Sequence, residues 1–522
     1  MLTRVDPDAD LGQDAPPRPV AVVIGAGLGG LASAMRLGAK GYQVTVLDRL
    51  DRAGGRGSSI SQDGHRFDLG PTIITVPQVY EALWAACGRD FHEDVDLRPM
   101  DPFYEVRWPD GSRFAARQDT DAMLAEVARL SPRDVRGYKR FLKDSARCYR
   151  VGFEGMVAKP MHRLWETIKV LPTFAALRAD RSILGLAKAR VRDPRLRMAL
   201  SFHPLFIGGD PRNVTSMYAL VAHLEKEFGV HYAMGGVQAI ADAMVGVIEA
   251  QGGLVRHETE VDEILVERGA VAGVRLTTGE RIAAPLVVSN ADAGHTYRHL
   301  LRNTKRRRWT DAKLSSRRWS MGLFVWYFGT RGTAQMWPDV GHHTITNAPR
   351  YEGLLRDIFI EGHLADDMSL YIHRPSRTDP GVAPEGDDTF YVLSPVPHLG
   401  VDDPVDWARE AEIYKGKMRA ELEKTIPGFA ERIVTEMTLT PEDFRDRYLS
   451  PFGSGFSIEP RILQSAWFRP HNVSEEARGL YLVGAGTHPG AGVPGVISSA
   501  EVLGKLVPDV VPAAVPEPAV AP

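Results

Sequence analysis

Six residues near the amino terminus, Gly25-Ala26-Gly27-Leu28-Gly29-Gly30, have the G-x-G-x-x-G spacing that suits a phosphate. The first glycine permits a tight turn, the second lets the backbone approach a pyrophosphate, and the third lets helix and strand pack closely. Exposed amides and the helix dipole then stabilise the negative charge. Alone, these glycines fit NAD, FAD or a turn without ligand. Asp48 favours a dinucleotide, because an acidic residue at this distance binds the ribose.

The elements that must position these residues follow from the apolar pattern. Residues 19–24 and 43–48 are compact apolar runs, and residues 28–40 between them have helical periodicity. This order predicts a strand, a helix and a second strand joined by a right-handed crossover. Such a unit opens a doubly wound parallel sheet, so the fold class is α/β.

Two further segments near the amino terminus narrow the choice of cofactor. Gly54-Gly55-Arg56 lies within one short loop after Asp48, and FDLGPT, which contains Gly70, Pro71 and Thr72, follows it. The combination resembles the FAD-binding fold shared by amine oxidases and carotenoid desaturases. The resemblance implies that Arg56 neutralises the pyrophosphate and that the loop after it passes the flavin. FAD is therefore the expected cofactor.

The carboxyl-terminal segment 481–493 is a second glycine-rich loop that leads into a helix. It resembles the signature of bacterial-type phytoene dehydrogenases, and the resemblance implies cofactor contacts by Gly486, Thr487, Gly495 and Val496. Amine oxidases usually have an acidic residue at the position of Thr487. Val261 begins a strand whose backbone meets the adenine in this superfamily, although an ordinary buried valine explains it equally well.

Other segments extend the resemblance over most of the chain. They are LSFHPLFIGGDP (200–211), EFGVHYAMGG (227–236), VSNADAGHTY (288–297), SPVPHLG (394–400) and QSAWFRPHN (464–472). On these motifs the chain is identified as a member of the bacterial-type phytoene desaturases. The family reaction is successive desaturation of 15-cis-phytoene, through phytofluene and zeta-carotene, to neurosporene after three steps or lycopene after four. We favour three steps, with oxygen or a quinone as terminal electron acceptor.

The sequence lacks G-x-S-x-G, H-E-x-x-H and any Cys or His cluster with metal-ligand spacing, so no metal is expected. Removal of a hydride from a polyene requires that the cofactor is correctly positioned against the substrate and that water is excluded. It does not require a strong nucleophile. The candidate proton acceptors are Glu166, Lys169, His203, His231 and His488. Glu166 and Lys169 also suit a surface pair. Six aromatic residues are expected in the substrate cavity or the core, namely Phe202, Phe206, Tyr232, Phe324, Trp326 and Tyr327.

Composition excludes several classes of protein. The chain of 522 residues has 44% apolar and 25% charged residues and a net charge of −3, which argues against a nucleic-acid partner. Cys87 and Cys148 are too few for a disulfide framework. The first residues lack a signal peptide, and the uncharged run 479–500 is too rich in glycine for a transmembrane helix. We therefore expect a peripheral protein on the cytoplasmic face of a membrane.

The membrane expectation comes from residues 159–197, which contain ten basic and three acidic residues among apolar ones. A basic amphipathic helix would recruit anionic lipid and admit an apolar C40 carotenoid. A solvated charged face is the alternative. A similar patch is expected around Trp309 and Trp319.

We predict an FAD-binding Rossmann-like domain with an inserted helical membrane-associating region and a β-rich substrate domain. The predicted parts, in chain order, are a disordered tail (1–17), FAD-binding (18–90), substrate (91–119), helical (120–224), FAD-binding (225–300), substrate (301–477), FAD-binding (478–510) and a disordered tail (511–522). A homo-oligomer is compatible with this arrangement. The rival functions are another carotenoid-modifying flavoenzyme, a soluble amine oxidase and a carotenoid carrier.

Overall fold

The computed structural model describes residues 18–510, so the two predicted disordered tails lie outside the described residues. The strands of this part are β1 (Val20–Ile24), β2 (Gln43–Leu47), β3 (Ser59–Gln62), β4 (His65–Asp68), β5 (Ile74–Thr75), β6 (Leu97–Pro99), β7 (Tyr104–Arg107), β8 (Arg113–Ala116), β9 (Val230–Ala233), β10 (Leu254–Arg256), β11 (Val261–Glu267), β12 (Ala270–Leu276), β13 (Arg281–Ala283), β14 (Leu286–Ser289), β15 (Gly322–Thr330), β16 (His343–Thr346), β17 (Leu370–His373), β18 (Asp388–Val396), β19 (Ile433–Leu439) and β20 (Leu480–Leu482). The α-helices are α1 (Leu28–Ala39), α2 (Pro77–Ala85), α3 (Phe91–Asp94), α4 (Thr120–Leu130), α5 (Val135–Tyr149), α6 (Leu164–Ala176), α7 (Ile183–Arg190), α8 (Pro194–Ala199), α9 (Leu220–Phe228), α10 (Val237–Ala250), α11 (Ala293–His295), α12 (Asp311–Ser315), α13 (Tyr351–Arg356), α14 (Trp407–Leu422), α15 (Pro441–Tyr448) and α16 (Val493–Leu506).

A parallel five-stranded sheet holds the amino-terminal glycine turn. Its strand order is β10-β2-β1-β14-β20, and helices α10 and α16 pack beside α1. The strand β1 (VAVVI) is almost entirely buried, because a parallel sheet is covered on both faces. The predicted order of strand, helix and strand is confirmed, as is the α/β class.

A seven-stranded sheet forms the second layer, in the order β19-β15-β18-β17-β16-β7-β8. Strands β15 and β18 pair antiparallel along their whole length, from Gly322 opposite Val396 to Thr330 opposite Asp388. Successive side chains of a strand point to opposite faces. One face therefore carries Phe324, Trp326 and Phe328, which pack against Trp407 and the rest of α14, while the other face is free to line a cavity.

Between β8 and β9 the chain forms only helices, α4 to α9, with short turns and one π-helical stretch at Arg150–Val157. This region contains the exposed helix α6, whose side chains Trp165 and Leu171 are 60% and 52% accessible. Across residues 18–510, no helix has both the length and the apolar character needed to cross a bilayer.

Candidate cofactor and substrate cavity

A cavity of about 1350 Å³ connects the glycine turn, the seven-stranded sheet and the helical region. Pockets for a single drug-sized ligand measure about 300–1,000 Å³, so this one has room for a large cofactor together with part of a substrate. Most of the predicted cofactor residues line it, namely Gly25, Gly27, Leu28, Gly29, Asp48, Gly54, Gly55, Arg56, Gly70, Pro71, Thr72, Val261, Gly495 and Val496.

Three of the predicted residues lie behind the cavity wall. A Cβ on Gly30 would stand 2.0 Å from the carbonyl oxygen of Gly25, so this glycine lets α1 pack on its strand. A Cβ on Gly486 would meet Ser457 Oγ at 2.9 Å and Ala293 at 3.0 Å. Thr487 is buried. None of these three residues lines the cavity, and their close contacts indicate a role in packing.

The side chain of Asn290 explains why the turn needs glycine. A Cβ on Gly27 would stand 2.8 Å from Asn290 Nδ2, and Cβ atoms on Gly29 and Gly484 would each stand 2.7 Å from Asn290 Oδ1. Asn290 thus lies against both glycine loops. Among the described residues no side chain caps the start of α1, so its first amides are free to bind an anion.

Asp48 holds the turn as well as facing the cavity. Its Oδ2 accepts a hydrogen bond from the amide of Ala26 at 2.6 Å, and its Oδ1 accepts one from the amide of Leu50 at 2.8 Å. Burial raises the pKa of Asp48, although these two amides oppose the change. Each oxygen retains a lone pair, so the carboxylate can still bind the ribose as predicted.

Arg56 is placed to bind an anion. Its Nη2 donates to Ser450 Oγ at 2.8 Å, its Nε has no hydrogen-bond partner among residues 18–510, and it pairs with no carboxylate of that part of the chain. Burial lowers the pKa of Arg56, with Asp292 opposing that change. Arg56 is half-buried, and a guanidinium that is removed from bulk water without an ion-pair partner is costly unless a ligand supplies the negative charge. The pyrophosphate of FAD fits this requirement.

Arg469 anchors the second glycine loop. It is 1% accessible, and its Nη2 donates to the carbonyl oxygens of Ile458 at 2.9 Å and Ala485 at 2.7 Å. Sequence reasoning noted the motif QSAWFRPHN that contains Arg469 but assigned the arginine no role. Its role is visible only once Ala485 and Arg469 are brought together.

The six aromatic residues that were expected in the cavity or in the core divide between these two places. Phe202 and Phe206 line the cavity, whereas Tyr232, Phe324, Trp326 and Tyr327 do not. Phe324 and Trp326 point to the α14 side of the sheet because of the strand alternation. Tyr327 lies on the face of the sheet that borders the cavity. Its hydroxyl donates to the carbonyl oxygen of Leu69, and Leu69 separates the ring of Tyr327 from the cavity. The sheet instead contributes Leu323, Ile345, Tyr371, Tyr391 and Leu393 to the cavity.

The proposed proton acceptors separate into two groups. Glu166 and Lys169 form a 3.1 Å surface pair on α6 and do not line the cavity, so their placement speaks against a catalytic role. His231 is also outside the lining. His203 and His488 do line the cavity.

The two lining histidines have different surroundings. His203 Nε2 lies 3.3 Å from Glu225 Oε2 and 3.1 Å from Tyr104 Oη. His488 Nε2 lies 3.2 Å from the carbonyl oxygen of Met156, and burial lowers the pKa of His488 to about 4. Both imidazoles are therefore placed at the cavity, and a catalytic role for either remains a prediction.

Three histidines that sequence reasoning missed meet in the second sheet. His342, His343 and His373 are buried, and nitrogen atoms of all three lie within 4.8 Å of one another. The chain separation between residues 343 and 373 hides this cluster, because strands β16 and β17 pair only in the fold. The absence of metal-ligand spacing along the sequence does not reveal a cluster of this kind, and the expectation that no metal is bound stays a prediction.

Comparison with known proteins identifies the family. Residues 28–501 match the family model described as flavin containing amine oxidoreductase. A neurosporene-forming phytoene desaturase of Cereibacter sphaeroides is 71% identical over 94% of both chains. One from Rhodobacter capsulatus is 66% identical over 94% of both chains. A lycopene-forming phytoene desaturase of a Paracoccus species is 41% identical over 94% of this chain and 98% of its own.

Among solved structures, an oxidoreductase from Methanosarcina mazei superposes with a TM-score of 0.64 at 20% identity. The alignment covers 93% of this chain and 100% of that one. At this identity the likeness concerns the fold alone.

Proposed function

The chain belongs to the phytoene desaturase family of FAD-dependent oxidoreductases, and we propose that it converts 15-cis-phytoene to neurosporene in three successive desaturations at a membrane surface. The observation that carries the proposal is one cavity with an anion-binding end and an apolar end. The two relatives described above with 71% and 66% identity both carry the name neurosporene-forming, whereas the lycopene-forming relative is 41% identical.

The residues of the cavity suit this chemistry. When bound, FAD supplies the acceptor for the hydride that leaves the substrate. The first amides of α1 and the guanidinium of Arg56 would hold the pyrophosphate, and Asp48 the ribose. Phe202, Phe206 and the sheet residues exclude water from the reacting carbons. This exclusion prevents solvent from trapping a cationic polyene.

The product assay tests the proposal directly. Purified protein loaded with FAD, given phytoene in liposomes, should release neurosporene as the longest chromophore, identified by chromatography and absorption spectrum. Accumulation of lycopene would contradict the three-step assignment, and an unchanged phytoene pool would contradict the desaturase itself. Peroxide released from amines without any polyene product would favour the amine oxidase alternative.

We further propose that the cavity opens into lipid through an apolar rim, which we call the mouth patch. It consists of Leu164, Trp165, Ile168, Leu171, Ile462 and Leu463, with accessibilities between 42% and 65%. Leu171, Ile462 and Leu463 also line the cavity, and α6 packs against the turn Ala466–Phe468. Exposed apolar surface at the entrance of an apolar cavity suits a substrate dissolved in membrane lipid.

The charges near the mouth patch support a membrane-binding surface that is smaller than the one predicted over residues 159–197. Within the basic region, Lys188 pairs with Glu352 at 2.7 Å and Arg190 pairs with Asp144 at 2.7 Å, so carboxylates of the same chain partly neutralise these cations. Lys159 and Arg163, which precede α6, are exposed and can attract anionic lipid. Trp309 and Trp319 are buried, which removes the second patch that was predicted around them.

Vesicle binding should depend on the mouth patch. Trp165→Glu combined with Leu463→Glu should lower the fraction bound to anionic vesicles at least about tenfold, because each buried apolar side chain is worth about 1.5–3 kcal/mol. Cosedimentation measures the bound fraction. The matched control is Ile413→Glu, since Ile413 is 52% accessible and lies on α14, on the opposite face of the sheet. Equal binding by all three proteins would contradict this membrane surface.

The proposed membrane surface would also give the reduced cofactor access to an electron acceptor dissolved in lipid. Both oxygen and quinones dissolve in lipid, and we propose that one of them reoxidises the cofactor at the membrane. Reoxidation of reduced protein by air-saturated buffer, compared with a quinone in vesicles, separates the two.

A further inference from the structure

A hydrogen-bonded path leaves the apolar cavity at Thr72. The hydroxyl of Thr72 lies 2.5 Å from Tyr371 Oη, and Tyr371 Oη lies 2.7 Å from His343 Nδ1. All three residues are buried, and both Thr72 and Tyr371 line the cavity. Buried polar groups are costly unless they are satisfied, so a polar path beside an apolar cavity calls for a reason.

The path ends among three imidazoles. His342 Nε2 lies 2.9 Å from His373 Nε2, and His342 Nδ1 lies 2.6 Å from Thr378 Oγ1. Thr378 is only half-buried, so the cluster approaches the surface there. Within residues 18–510, His343 Nε2 and His373 Nδ1 have no hydrogen-bond partner.

The geometry suits protons better than a metal ion. The rings of His343 and His373 are nearly parallel, at 17° and with centroids 5.2 Å apart, so their lone pairs do not converge on one point. The Nε2 atoms of His342 and His373 are also closer together than the about 3.3 Å between two ligands of a tetrahedral zinc ion with bonds of 2.0–2.1 Å.

We propose that Thr72, Tyr371 and His343 form the relay that accepts the proton of each desaturation, an inference that rests on the proposed function. Each round removes a hydride and a proton from neighbouring CH2 groups. The hydride is accounted for by the cofactor, and the electrons of the second C–H bond form the new C=C bond. The substrate proton passes to Thr72 Oγ1, the hydroxyl proton of Thr72 moves to Tyr371 Oη, and the phenolic proton of Tyr371 moves to His343 Nδ1, so that each hydroxyl gains one proton and loses one.

The protonation states agree with a relay. Burial lowers the pKa of His342 to about 3 and the pKa of His343 and His373 well below the usual value, so the three imidazoles are neutral before the proton arrives and act only as weak bases. Burial, with the Asp68 carboxyl adding to it, raises the pKa of Tyr371, so the phenol stays protonated. A weak base suffices, because a C–H bond beside a carbocation is strongly acidic.

The relay predicts a specific kinetic change in two variants. Tyr371→Phe removes the bridging hydroxyl, and His343→Asn retains a hydrogen-bond acceptor that cannot take up a proton. Each should lower kcat for phytoene about 100-fold, the lower range for proton transfer by a placed side chain, with KM and FAD content unchanged. Phytoene with deuterium at the proton-releasing carbon should then show a primary isotope effect that is larger than in the unmodified protein.

The matched control is Tyr414→Phe. Tyr414 is a buried tyrosine whose Oη lies 2.7 Å from Ser394 Oγ, on the α14 side of the sheet and outside the cavity lining. It should retain full kcat, so a loss confined to Tyr371 and His343 would support the relay over a general effect of removing a buried hydroxyl.

The outcomes separate the relay from the proposed function. An unmodified protein that fails to desaturate phytoene would overturn both. Normal activity in the unmodified protein together with normal kcat in Tyr371→Phe and His343→Asn would overturn the relay alone. A kcat loss seen only in His203→Gln would place the proton acceptor at the Glu225 side instead. A stoichiometric metal that is lost in His343→Asn would also overturn the relay.

Discussion

Gly27→Val should yield a folded protein without flavin. The added Cβ would stand 2.8 Å from Asn290 Nδ2, and the valine methyl groups would occupy the space where the backbone of the turn faces the cavity. A pyrophosphate then cannot approach the amides at the start of α1. We expect the yellow flavin absorbance of the purified protein to fall to background and desaturation to cease.

Gly246→Val provides the comparison for this variant. Gly246 lies in α10, where an added Cβ would meet no atom of the described residues within 4 Å. It should bind FAD normally. Circular dichroism would verify that both variants fold, and full flavin content in folded Gly27→Val would show that the cofactor lies elsewhere.

Arg374→Met should lower the free energy of unfolding by about 3–5 kcal/mol, the usual cost of leaving a buried charge without its partner. Arg374 and Asp388 are 0% and 1% accessible and form two hydrogen bonds of 2.9 and 2.7 Å. Arg374 also donates to the carbonyl oxygen of Trp337 at 2.8 Å. The substitution leaves the buried carboxylate of Asp388 in the second sheet without its ion-pair partner.

Denaturant unfolding of matched variants would measure this effect. Arg445 forms an equally short two-bond pair with Asp446 on the surface, and Arg445→Met should cost at most about 1 kcal/mol. Adding Asp388→Leu to Arg374→Met should recover part of the loss, because the stranded charge is removed. If Arg374→Met and Arg445→Met lowered the free energy of unfolding equally, burial of the Arg374–Asp388 pair would not explain the loss.

The Arg374 pair also connects stability to the proposed relay. Arg374 follows His373 directly at the end of β17, and Asp388 begins β18, which pairs with β17. The ion pair therefore secures the strand that carries Tyr371 and His373. We expect the denaturant midpoint to fall further in Arg374→Met, which leaves a buried charge without its partner, than in Tyr371→Phe, which leaves two neutral polar groups without theirs.

The cofactor-binding end of the protein could be predicted from the amino-acid sequence. Gly25 to Arg56 lie within one continuous strand, helix, strand and loop, so their spacing along the chain nearly equals their arrangement in space. Local rules of backbone conformation and strand connection are sufficient for such a unit. The family resemblance then extended that local result to the substrate class.

The remaining features could not be predicted in this way, because they depend on contacts between segments that are distant along the chain. Thr72 and Tyr371 are 299 positions apart, and no local pattern brings their hydroxyls together. The register of β15 sent Phe324 and Trp326 away from the cavity, since a strand alternates its faces. Two cations of the basic region, Lys188 and Arg190, pair with Glu352 and Asp144 only in the fold, so the membrane surface that we propose is confined to α6 and its neighbouring turn.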